Sequence, residues 1–313
     1  MNGLRIVSTG RCLPRQVVTN EDMSKIVETS DEWISTRTGI RQRYLCKEET
    51  QLDLAIGAAR QALERSGIAK EELGACVVGT FTGSYATPST ACLLQRELAL
   101  PTDMPSLDIN AACSGFLYAL QVAHGLLMQG ERRYALVLGV ERLSKVTDFT
   151  DRGTCVLFGD GAGAAVVELC EDKQYYSILG AQGDTDALCC LGINQEEKSF
   201  VHMKGNDVYR FAIDRIPRCV SAVLDKAGMT LDQIDAVICH QANERIIRHV
   251  VKHLGAREGQ FYVNLARYGN TSAASIPIAL DEMVTDGLLR AGMNAILVGF
   301  GAGFTWGGVY IEL

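Results

Sequence analysis

The sequence predicts an α/β protein, a layered sandwich made of two similar halves. Two Gly-Ala-Gly motifs lie 140 residues apart, one within residues 158–167 and the other shortly before a strand-like run at residues 309–311. Each motif closes a part of the chain in which short apolar runs alternate with helical stretches. Runs of Val, Ile and Leu that are apolar on both faces are typical of largely parallel sheets covered by helices.

The individual elements follow from the same patterns. In chain order, the apolar runs and the periodic stretches predict helix 52–65, strand 75–79, strand 135–140, helix 208–226, strand 236–239 and strand 295–298. We place the boundary between the halves after residue 170, so that residues 1–170 form the first half and residues 171–313 the second.

A further helix is predicted over residues 114–129. It is almost entirely apolar, with Phe116, Leu120 and Leu127 at helical spacing, and Gly130 supplies a C-terminal stop. A helix that is apolar all round is buried. We therefore expect this helix inside the protein.

Composition argues against several classes of protein. Of the 313 residues, 47% are hydrophobic and 21% are charged, so the chain can fold around a sizeable core. The net charge of -7 argues against broad nucleic-acid binding, and the longest apolar stretch, residues 295–304, is too short to cross a membrane. The 11 cysteines lack paired Cys-x-x-Cys spacings and indicate reduced thiols. We predict a cytoplasmic protein without a metal site.

Cys113 is the candidate nucleophile. It follows a strand-like run, residues 106–110, and begins the buried helix, where unpaired backbone N–H groups and the helix dipole favour negative charge. That position predicts a lowered thiol pKa and a reactive sulfur. The alternative is a small core residue at a tight turn, as most free cysteines are.

His240 and Asn270 are the candidate partners of Cys113. His240 follows strand 236–239 at its carboxyl end, where open α/β sheets bind ligands. Asn270 stands in a loop just before a helix of small residues. Taken alone, His240 would be a structural residue, like the other four histidines, and Asn270 a helix N-cap.

The motifs around these residues resemble the β-ketoacyl-acyl carrier protein synthase III family of the thiolase superfamily, over essentially the whole chain. They are Asn-Ala-Ala-Cys-Ser-Gly-Phe at 110–116, His-Gln-Ala-Asn at 240–243, Tyr-Gly-Asn-Thr-Ser-Ala at 268–273 and Gly-Ala-Gly-Phe-Thr-Trp-Gly at 301–307. The resemblance implies a homodimer with a thiolase-like five-layer αβαβα fold of two duplicated halves. It also implies that Cys113, His240 and Asn270 are the catalytic residues.

The implied reaction initiates fatty acid biosynthesis and needs no cofactor, since acyl-CoA and malonyl-acyl carrier protein are both substrates. Cys113 takes the acyl group, and the backbone N–H groups of Cys113 and Ala302 form the oxyanion hole. The malonyl group then loses carbon dioxide, and neutral His240 and Asn270 stabilise the enolate by donating hydrogen bonds. Attack by the enolate on the acyl group gives 3-oxoacyl-acyl carrier protein.

Related activities require residues that the chain lacks. A thiolase needs a second Cys in the loop 301–303, and a hydroxymethylglutaryl-CoA synthase needs a Glu base near Cys113, where residues 106–116 offer only Asp108. A decarboxylating relative that makes a secondary metabolite or a ketone stays open. A non-catalytic nucleotide-binding protein is disfavoured, because residues 159–163 lack the Lys-Ser/Thr of a phosphate loop.

Two binding regions are implied as well. The resemblance places CoA at Trp33, which would stack on adenine, with Arg37 meeting phosphate, Arg152 packing on the other side and Asn243 lining the pantetheine tunnel. A basic stripe at helical spacing, favourable for an acidic carrier protein, comprises Arg245, Arg248, His249 and Lys252. The carrier contacts implied by the resemblance are Gln241, Ala242, Asn243, Glu244 and Arg245, with help from Arg210. The alternative for the stripe is a solvated helix face.

Thr87 and Phe300 are expected in the acyl pocket. Thr87 stands where members of the family often carry a Phe that reaches across the dimer to close the pocket. A smaller side chain at this position predicts a longer pocket and tolerance of primers beyond acetyl.

Overall fold

The structure is a computed structural model that describes residues 3–192 and 199–313. Its strands are β1 (Gly3–Cys12), β2 (Gln16–Thr19), β3 (Gln42–Leu45), β4 (Leu73–Gly79), β5 (Ser106–Ile109), β6 (Tyr134–Glu141), β7 (Gly161–Cys170), β8 (Tyr176–Ala181), β9 (Leu188–Cys190), β10 (Val201–Met203), β11 (Ala236–Cys239), β12 (Phe261–Tyr262), β13 (Asn294–Gly301) and β14 (Thr305–Glu312). Its helices are α1 (Asn20–Ser24), α2 (Asp31–Thr38), α3 (Gln51–Ser66), α4 (Thr90–Glu97), α5 (Gly115–Gln129), α6 (Arg152–Cys155), α7 (Gly205–Ala227), α8 (Glu244–Leu254), α9 (Leu265–Tyr268) and α10 (Ser275–Thr285). The predicted strands and helices are all present, with bounds that differ by a few residues.

The main strands form two sheets with the same topology. The first has the order β5-β4-β6-β7-β1 and the second the order β12-β11-β13-β14-β8. In each, three parallel strands are followed by two antiparallel pairings. A single pairing of β1 with β14, Arg5 opposite Glu312, links the two sheets. The prediction of two duplicated α/β halves is confirmed, while the boundary after residue 170 stays a prediction.

The three largest apolar cores of the described residues hold five layers together. Helices α3 and α4 cover the outer face of the first sheet, and helices α7 and α8 cover the outer face of the second. Helices α5 and α10 lie between the two sheets, in a core that takes side chains from both. Because strand residues alternate between faces, each main sheet contributes to two cores. The five-layer αβαβα prediction is confirmed, and α5 is the buried helix that the sequence predicts.

The Gly-Ala-Gly motifs do not occupy matching positions in the two halves. Gly161 begins strand β7, whereas Gly301 ends β13 and the rest of its motif turns into β14. Both motifs nevertheless allow a close approach of backbones. A Cβ atom on Gly163 would lie 2.6 Å from the amide nitrogen of Ile278 in α10, and one on Gly301 would lie 2.6 Å from the amide nitrogen of Cys113. Side chains larger than hydrogen are therefore excluded at both glycines.

Within the described parts of the chain, no helix combines the length and the apolar character that a membrane crossing requires.

Candidate active site

Cys113 lies in a short 3₁₀ turn, Ala112–Ser114, between strand β5 and helix α5. Ala112 has a left-handed φ of 45°, so the chain reverses sharply just before the cysteine. The half-buried Cys113 lines a cavity of about 740 Å³ to which both halves contribute. The structure thus places the thiol where the sequence predicts it, at the start of a buried helix.

The electrostatic prediction for Cys113 is wrong for the chain without substrate. Burial raises the pKa of the thiol to about 12, and the charge of Glu141 acts in the same direction. The Ser272 hydroxyl and the Cys113 backbone N–H lower the pKa, but they do not outweigh the loss of hydration. Cys113 is therefore a neutral thiol before substrate arrives, and thiolate formation must be coupled to a proton acceptor.

His240 follows strand β11 and is 2% exposed. Its backbone N–H donates to Val298 on the neighbouring strand β13, which fixes the residue at the end of the sheet. The ring atom Nδ1 lies 2.7 Å from the Ser275 hydroxyl, whose oxygen also accepts the Gln241 N–H at 3.4 Å. We assign the Ser275 proton to Nδ1, so that Nε2 carries the ring proton. Burial lowers the pKa of His240 to about 3, and the imidazole is neutral, as predicted.

Asn270 is held by both its backbone and its side chain. Its N–H donates to Leu157 at 2.8 Å, and its carbonyl accepts from Gly159 at 3.0 Å. The side-chain Oδ1 accepts the Ser272 N–H at 2.9 Å. Asn270 also lines the cavity, so its Nδ2 amide is the group left to donate to a bound molecule.

The loop after β13 closes over the nucleophile. Ala302 lines the cavity, and Gly301 packs against the backbone of Cys113. The Thr305 hydroxyl donates to the Ala111 carbonyl at 2.8 Å and ties the loop to the turn that carries the thiol. The two backbone N–H groups predicted for an oxyanion hole, those of Cys113 and Ala302, therefore belong to segments that are fixed against each other.

Two arginine side chains lie over the ring of Trp33. The guanidinium carbons of Arg37 and Arg152 lie 4.7 and 4.9 Å from the ring centroid. Asn243 donates to the Arg37 carbonyl at 3.0 Å and accepts the Arg245 N–H at 2.9 Å, which caps helix α8. Trp33, Arg37 and Asn243 line the same cavity as Cys113. Arg152 adjoins the cavity through Trp33.

The basic stripe is present on the exposed face of helix α8. Its four members, Arg245, Arg248, His249 and Lys252, are all exposed. Glu244 forms an ion pair with Arg248 at 2.6 Å, which neutralises part of the stripe. Arg245 lines the cavity, and its guanidinium lies over the ring of Tyr209 on helix α7. The residue that follows Tyr209 in the sequence is the exposed Arg210.

The prediction that Gln241 contacts a carrier protein is wrong. Gln241 is 1% exposed, and its Nε2 donates to the carbonyls of Cys239 and Tyr262. Its Oε1 accepts the Asn264 N–H at 2.9 Å. Through these hydrogen bonds, the buried Gln241 side chain links β11 to β12. Ala242, its neighbour, lines the cavity.

The two residues predicted for the acyl pocket differ in position. Phe300 is 2% exposed, lines the cavity and lies edge-on to the His240 ring, with the ring centroids 5.6 Å apart. Thr87 lies in an exposed loop and is not among the described residues that line this cavity. A role for Thr87 in the pocket therefore requires a second protomer.

Sequence reasoning missed Ser272 and Ser275, which contact the candidate catalytic residues, and Glu141, which accepts a hydrogen bond from Ser272. A signal for the two serines is present in the sequence. Residues 270–275 align with residues 110–115 at a spacing of 160, and in both segments an Asn is followed by small residues. That alignment places Ser272 and Ser275 in a copy of the turn that carries Cys113.

This arrangement defines a thiolase-like condensing enzyme, an acyltransferase whose thiol comes from one half and whose imidazole and carboxamide come from the other. The family model for 3-oxoacyl-[acyl-carrier-protein] synthase III matches residues 107–187, and the model for its C-terminal part matches residues 224–313. The chain belongs to the 3-oxoacyl-[acyl-carrier-protein] synthase III family.

Individual relatives agree with this assignment over the whole chain. The β-ketoacyl-[acyl-carrier-protein] synthase III of Clostridium tetani is 44% identical over 99% of this chain and 98% of its own. The crystal structure of 3-oxoacyl-[acyl-carrier-protein] synthase III from Aquifex aeolicus VF5 is 42% identical, with a TM-score of 0.94 over 99% of this chain and 100% of that one. The priming β-ketosynthase of the R1128 polyketide pathway is 34% identical, with a TM-score of 0.94 over 99% and 96%.

Proposed function

We propose that the chain transfers an acyl group from acyl-CoA to Cys113 and condenses it with malonyl-acyl carrier protein, releasing CoA and carbon dioxide and forming 3-oxoacyl-acyl carrier protein. The observation that carries this proposal is the neutral imidazole of His240, which shares one cavity with the Cys113 thiol and the Asn270 carboxamide. A neutral donor suits a reaction in which decarboxylation, and not proton abstraction, creates the carbanion.

In the first half-reaction the Cys113 sulfur attacks the thioester carbonyl of acyl-CoA, and the CoA thiolate leaves. The backbone N–H groups of Cys113 and Ala302 stabilise the negative oxygen of the tetrahedral intermediate. Because Gly301 and Thr305 fix these two segments against each other, the donors need no reorganisation when charge develops. The product is an acylated Cys113.

In the second half-reaction the malonyl thioester loses carbon dioxide and becomes an enolate. Nε2–H of His240 and Nδ2–H of Asn270 donate hydrogen bonds to the developing oxyanion. The bond from Ser275 to His240 Nδ1 holds the ring in the tautomer that donates. The enolate carbon then attacks the acyl group on Cys113 and releases the thiolate, which completes a ping-pong cycle.

The two substrates reach the thiol through the same cavity. Trp33, flanked by Arg37 and Arg152, offers a flat surface and positive charge to the adenine and phosphates of CoA, and Asn243 lines the way inward. The acidic carrier protein docks on the basic face of helix α8, where Arg245 belongs both to the stripe and to the cavity wall. A pantetheine arm from a carrier on α8 would enter beside this arginine.

The docking part of the proposal is tested by reversing one charge. We expect Arg245→Glu to raise the KM for malonyl-acyl carrier protein about tenfold and to leave the KM for acyl-CoA within about twofold. Arg218→Glu is the matched control, since Arg218 is an exposed arginine on α7 that pairs with Asp214 at 2.7 Å. Equal changes for both substrates, or equal changes in the control, would reject docking on α8.

We also propose that the enzyme is a cytoplasmic homodimer. Strand β5 lies at the edge of the first sheet and leads to the turn of Cys113, and the nearby loop exposes Tyr85 and Thr87. Pairing of protomers beside β5 would cover this edge and bring Thr87 to the partner's cavity. Sedimentation analysis should give a dimer, and a monomer at micromolar concentration would contradict this part of the proposal.

A second candidate function is a priming ketosynthase in a specialised pathway. It is favoured by the similarity to the R1128 priming β-ketosynthase, and it would use the same three catalytic residues. The discriminating measurement is a rate series over straight and branched acyl-CoA primers with the carrier protein of fatty acid synthesis. Efficient use of that carrier supports fatty acid initiation, while a marked preference for another carrier supports the specialised role.

The main experiment locates the acyl group. The protein is incubated with acetyl-CoA, digested and analysed by mass spectrometry, before and after malonyl-acyl carrier protein is added. We expect one adduct, on Cys113, that disappears as 3-oxoacyl product forms. An adduct on another residue, or product without an adduct, would overturn the proposed scheme.

A further inference from the structure

Glu141 is a buried carboxyl group that the proposed reaction leaves without a role. It ends strand β6 and is 0% exposed. Its Oε2 atom accepts hydrogen bonds from the Thr80 hydroxyl at 3.1 Å, the Thr82 hydroxyl at 2.5 Å and the Thr82 N–H at 3.2 Å. The Phe81 N–H lies 3.3 Å from both carboxyl oxygens. Within the described residues, hydroxyl and amide donors surround this carboxyl, and no cation pairs with it.

Oε1 is the less occupied oxygen of this carboxyl group. Besides the shared Phe81 N–H, its partner is the Ser272 hydroxyl at 3.4 Å. Since three further donors already point at Oε2, Oε1 is the atom with room for a proton. Ser272 and Cys113 line the same cavity, the turns that carry them are in contact, and the Ser272 hydroxyl lowers the pKa of the thiol. Ser272 therefore stands between the sulfur of Cys113 and the proton-accepting oxygen of Glu141.

His240 is poorly suited to take the thiol proton. In the tautomer assigned above, its Nδ1 atom accepts from Ser275 and its Nε2 atom carries the proton, so the ring offers no free lone pair. Burial also opposes a charged imidazolium, as its lowered pKa of about 3 indicates. Burial has the opposite effect on Glu141 and raises its pKa to about 8, so that this carboxylate is a stronger base than usual.

We propose that Ser272 and Glu141 form a relay that removes the proton from Cys113 when the acyl group arrives. The S–H bond of Cys113 breaks as its proton passes to Ser272 Oγ, while the original Ser272 O–H proton passes to Oε1 of Glu141. The thiolate formed in this way attacks the acyl-CoA carbonyl. One negative charge is present before and after the transfer, so no second charge is created in the buried site. The relay rests on the proposed function, because it serves the acylation of Cys113.

The titratable groups of the relay are Glu141 and Cys113. The structure couples the charge of Glu141 to Cys113, and the donors that act on the Glu141 carboxyl are the hydroxyl and amide groups of Thr80, Phe81 and Thr82. The acylation rate should therefore rise with pH as Glu141 ionises, and the same ionisation should be absent when this residue is replaced.

The first test is Ser272→Ala, with Ser114→Ala as the matched control. Alanine fits the left-handed φ of 50° at Ser272, because Ala112 has a φ of 45° at the equivalent position of the other turn. Ser114 is a buried serine beside Cys113 whose hydroxyl has no hydrogen-bond partner among the described residues. In single-turnover acylation by acetyl-CoA, we expect Ser272→Ala to be slowed about 100-fold and Ser114→Ala to stay within about twofold.

The second measurement separates the relay from a structural role. We expect the wild-type acylation rate to rise with pH through an ionisation near pH 8, and we expect this rise to be missing in Glu141→Gln. In Ser272→Ala, the pH dependence of Cys113 alkylation by iodoacetamide should shift to higher pH, because the variant lacks the hydroxyl that lowers the pKa of the thiol. Wild-type acylation rates in Ser272→Ala, or an unchanged pH profile in folded Glu141→Gln, would overturn the relay. Failure of the wild-type protein to form any Cys113 adduct would instead overturn the proposed function. If Glu141→Gln does not fold, Ser272→Ala alone decides the matter.

Discussion

The turns at residues 110–115 and 270–275 share one backbone and divide the chemistry between them. Ala112 and Ser272 have φ values of 45° and 50°, and the residues on either side have similar dihedral angles in the two turns. In both, the first Asn accepts the N–H of the residue two positions later, at 3.2 and 2.9 Å. The first turn presents its fourth residue, Cys113, and the second presents its first residue, Asn270.

The difference lies in what each turn needs from its side chains. The fourth position of the second turn is Ala273, which is completely buried against the sheet, whereas Cys113 faces the cavity. Conversely, Asn110 is exposed, while Asn270 is 7% exposed. Under the proposed function, one turn of the duplicated fold therefore supplies the nucleophile and the other supplies a hydrogen-bond donor to the oxyanion. The following predictions test that division of labour, beginning with the largest expected effect.

Replacement of the nucleophile should give the largest change. Cys113→Ala makes the first turn like the second, in which Ala273 already occupies this position, so the fold should be retained. We expect acylation to fall by at least about 1,000-fold, because no other group in the turn can form the thioester. Decarboxylation of malonyl-acyl carrier protein should persist through His240 and Asn270. Radiolabelled acyl transfer and carbon dioxide release measure the two steps separately, and loss of both would contradict the division.

The two asparagines should differ strongly. Asn270→Ala removes an oxyanion donor and should lower the decarboxylation rate about 100- to 1,000-fold. Asn110→Ala removes the matching turn bond, in which Oδ1 accepts the Ala112 N–H, and should lower the decarboxylation rate less than about tenfold. Carbon dioxide release from malonyl-acyl carrier protein by each variant is the measurement. Similar losses in the two variants would mean that Asn270 acts mainly through its turn.

The last residue of the second turn should have an intermediate effect. Ser275→Ala leaves Nδ1 of His240 without its donor and allows the ring to change tautomer, so the rate of condensation should fall about tenfold. The nitrogen-15 NMR spectrum of the His240 ring reports the tautomer directly. We expect a single Nε2–H form in the wild-type protein and a mixture in the variant. A wild-type spectrum with the proton on Nδ1 would reverse the assigned hydrogen bond.

Changes of pH should have the smallest effect on the decarboxylation step. Because burial lowers the pKa of His240 to about 3, its ring keeps the donating form at all higher pH values. Decarboxylation by Cys113→Ala should therefore be flat between about pH 5 and about pH 9, whereas an ordinary histidine would titrate near pH 6.5. The same shift reduces folding stability as pH falls below about 6.5, since the unfolded chain then binds a proton that the folded chain excludes. A rate that follows a titration near pH 6.5 would contradict the buried, neutral ring.

Sequence reasoning succeeded where a local pattern determines the structure. His240 stands directly after a buried strand, and the apolar helix after Cys113 is recognisable from its composition alone. Local patterns do not predict contacts between segments that are far apart in the sequence. His240 meets Ser275 across 35 positions, and Ser272 meets Glu141 across 131 positions.

Burial explains the two predictions that were wrong. The lowered pKa of Cys113 was inferred from the helix start, but the loss of water around the sulfur outweighs the backbone donors. Gln241 stands beside a basic helix in the sequence, yet its side chain turns inward to bracket two strands. In both cases the neighbouring residues were read correctly, and the solvent exposure could be known only from the folded chain.

The middle helical layer has a consequence for how this architecture could arise. Helix α10 of the second half packs on β7 and β1 of the first sheet, and α5 contacts β13 and β14 of the second as well as its own strands. A single half on its own would expose the apolar inner face of its sheet to water. An ancestral protein of half this length would therefore have needed a second copy of itself to fold, and gene fusion would have turned that obligate pairing into one chain whose two copies were then free to diverge.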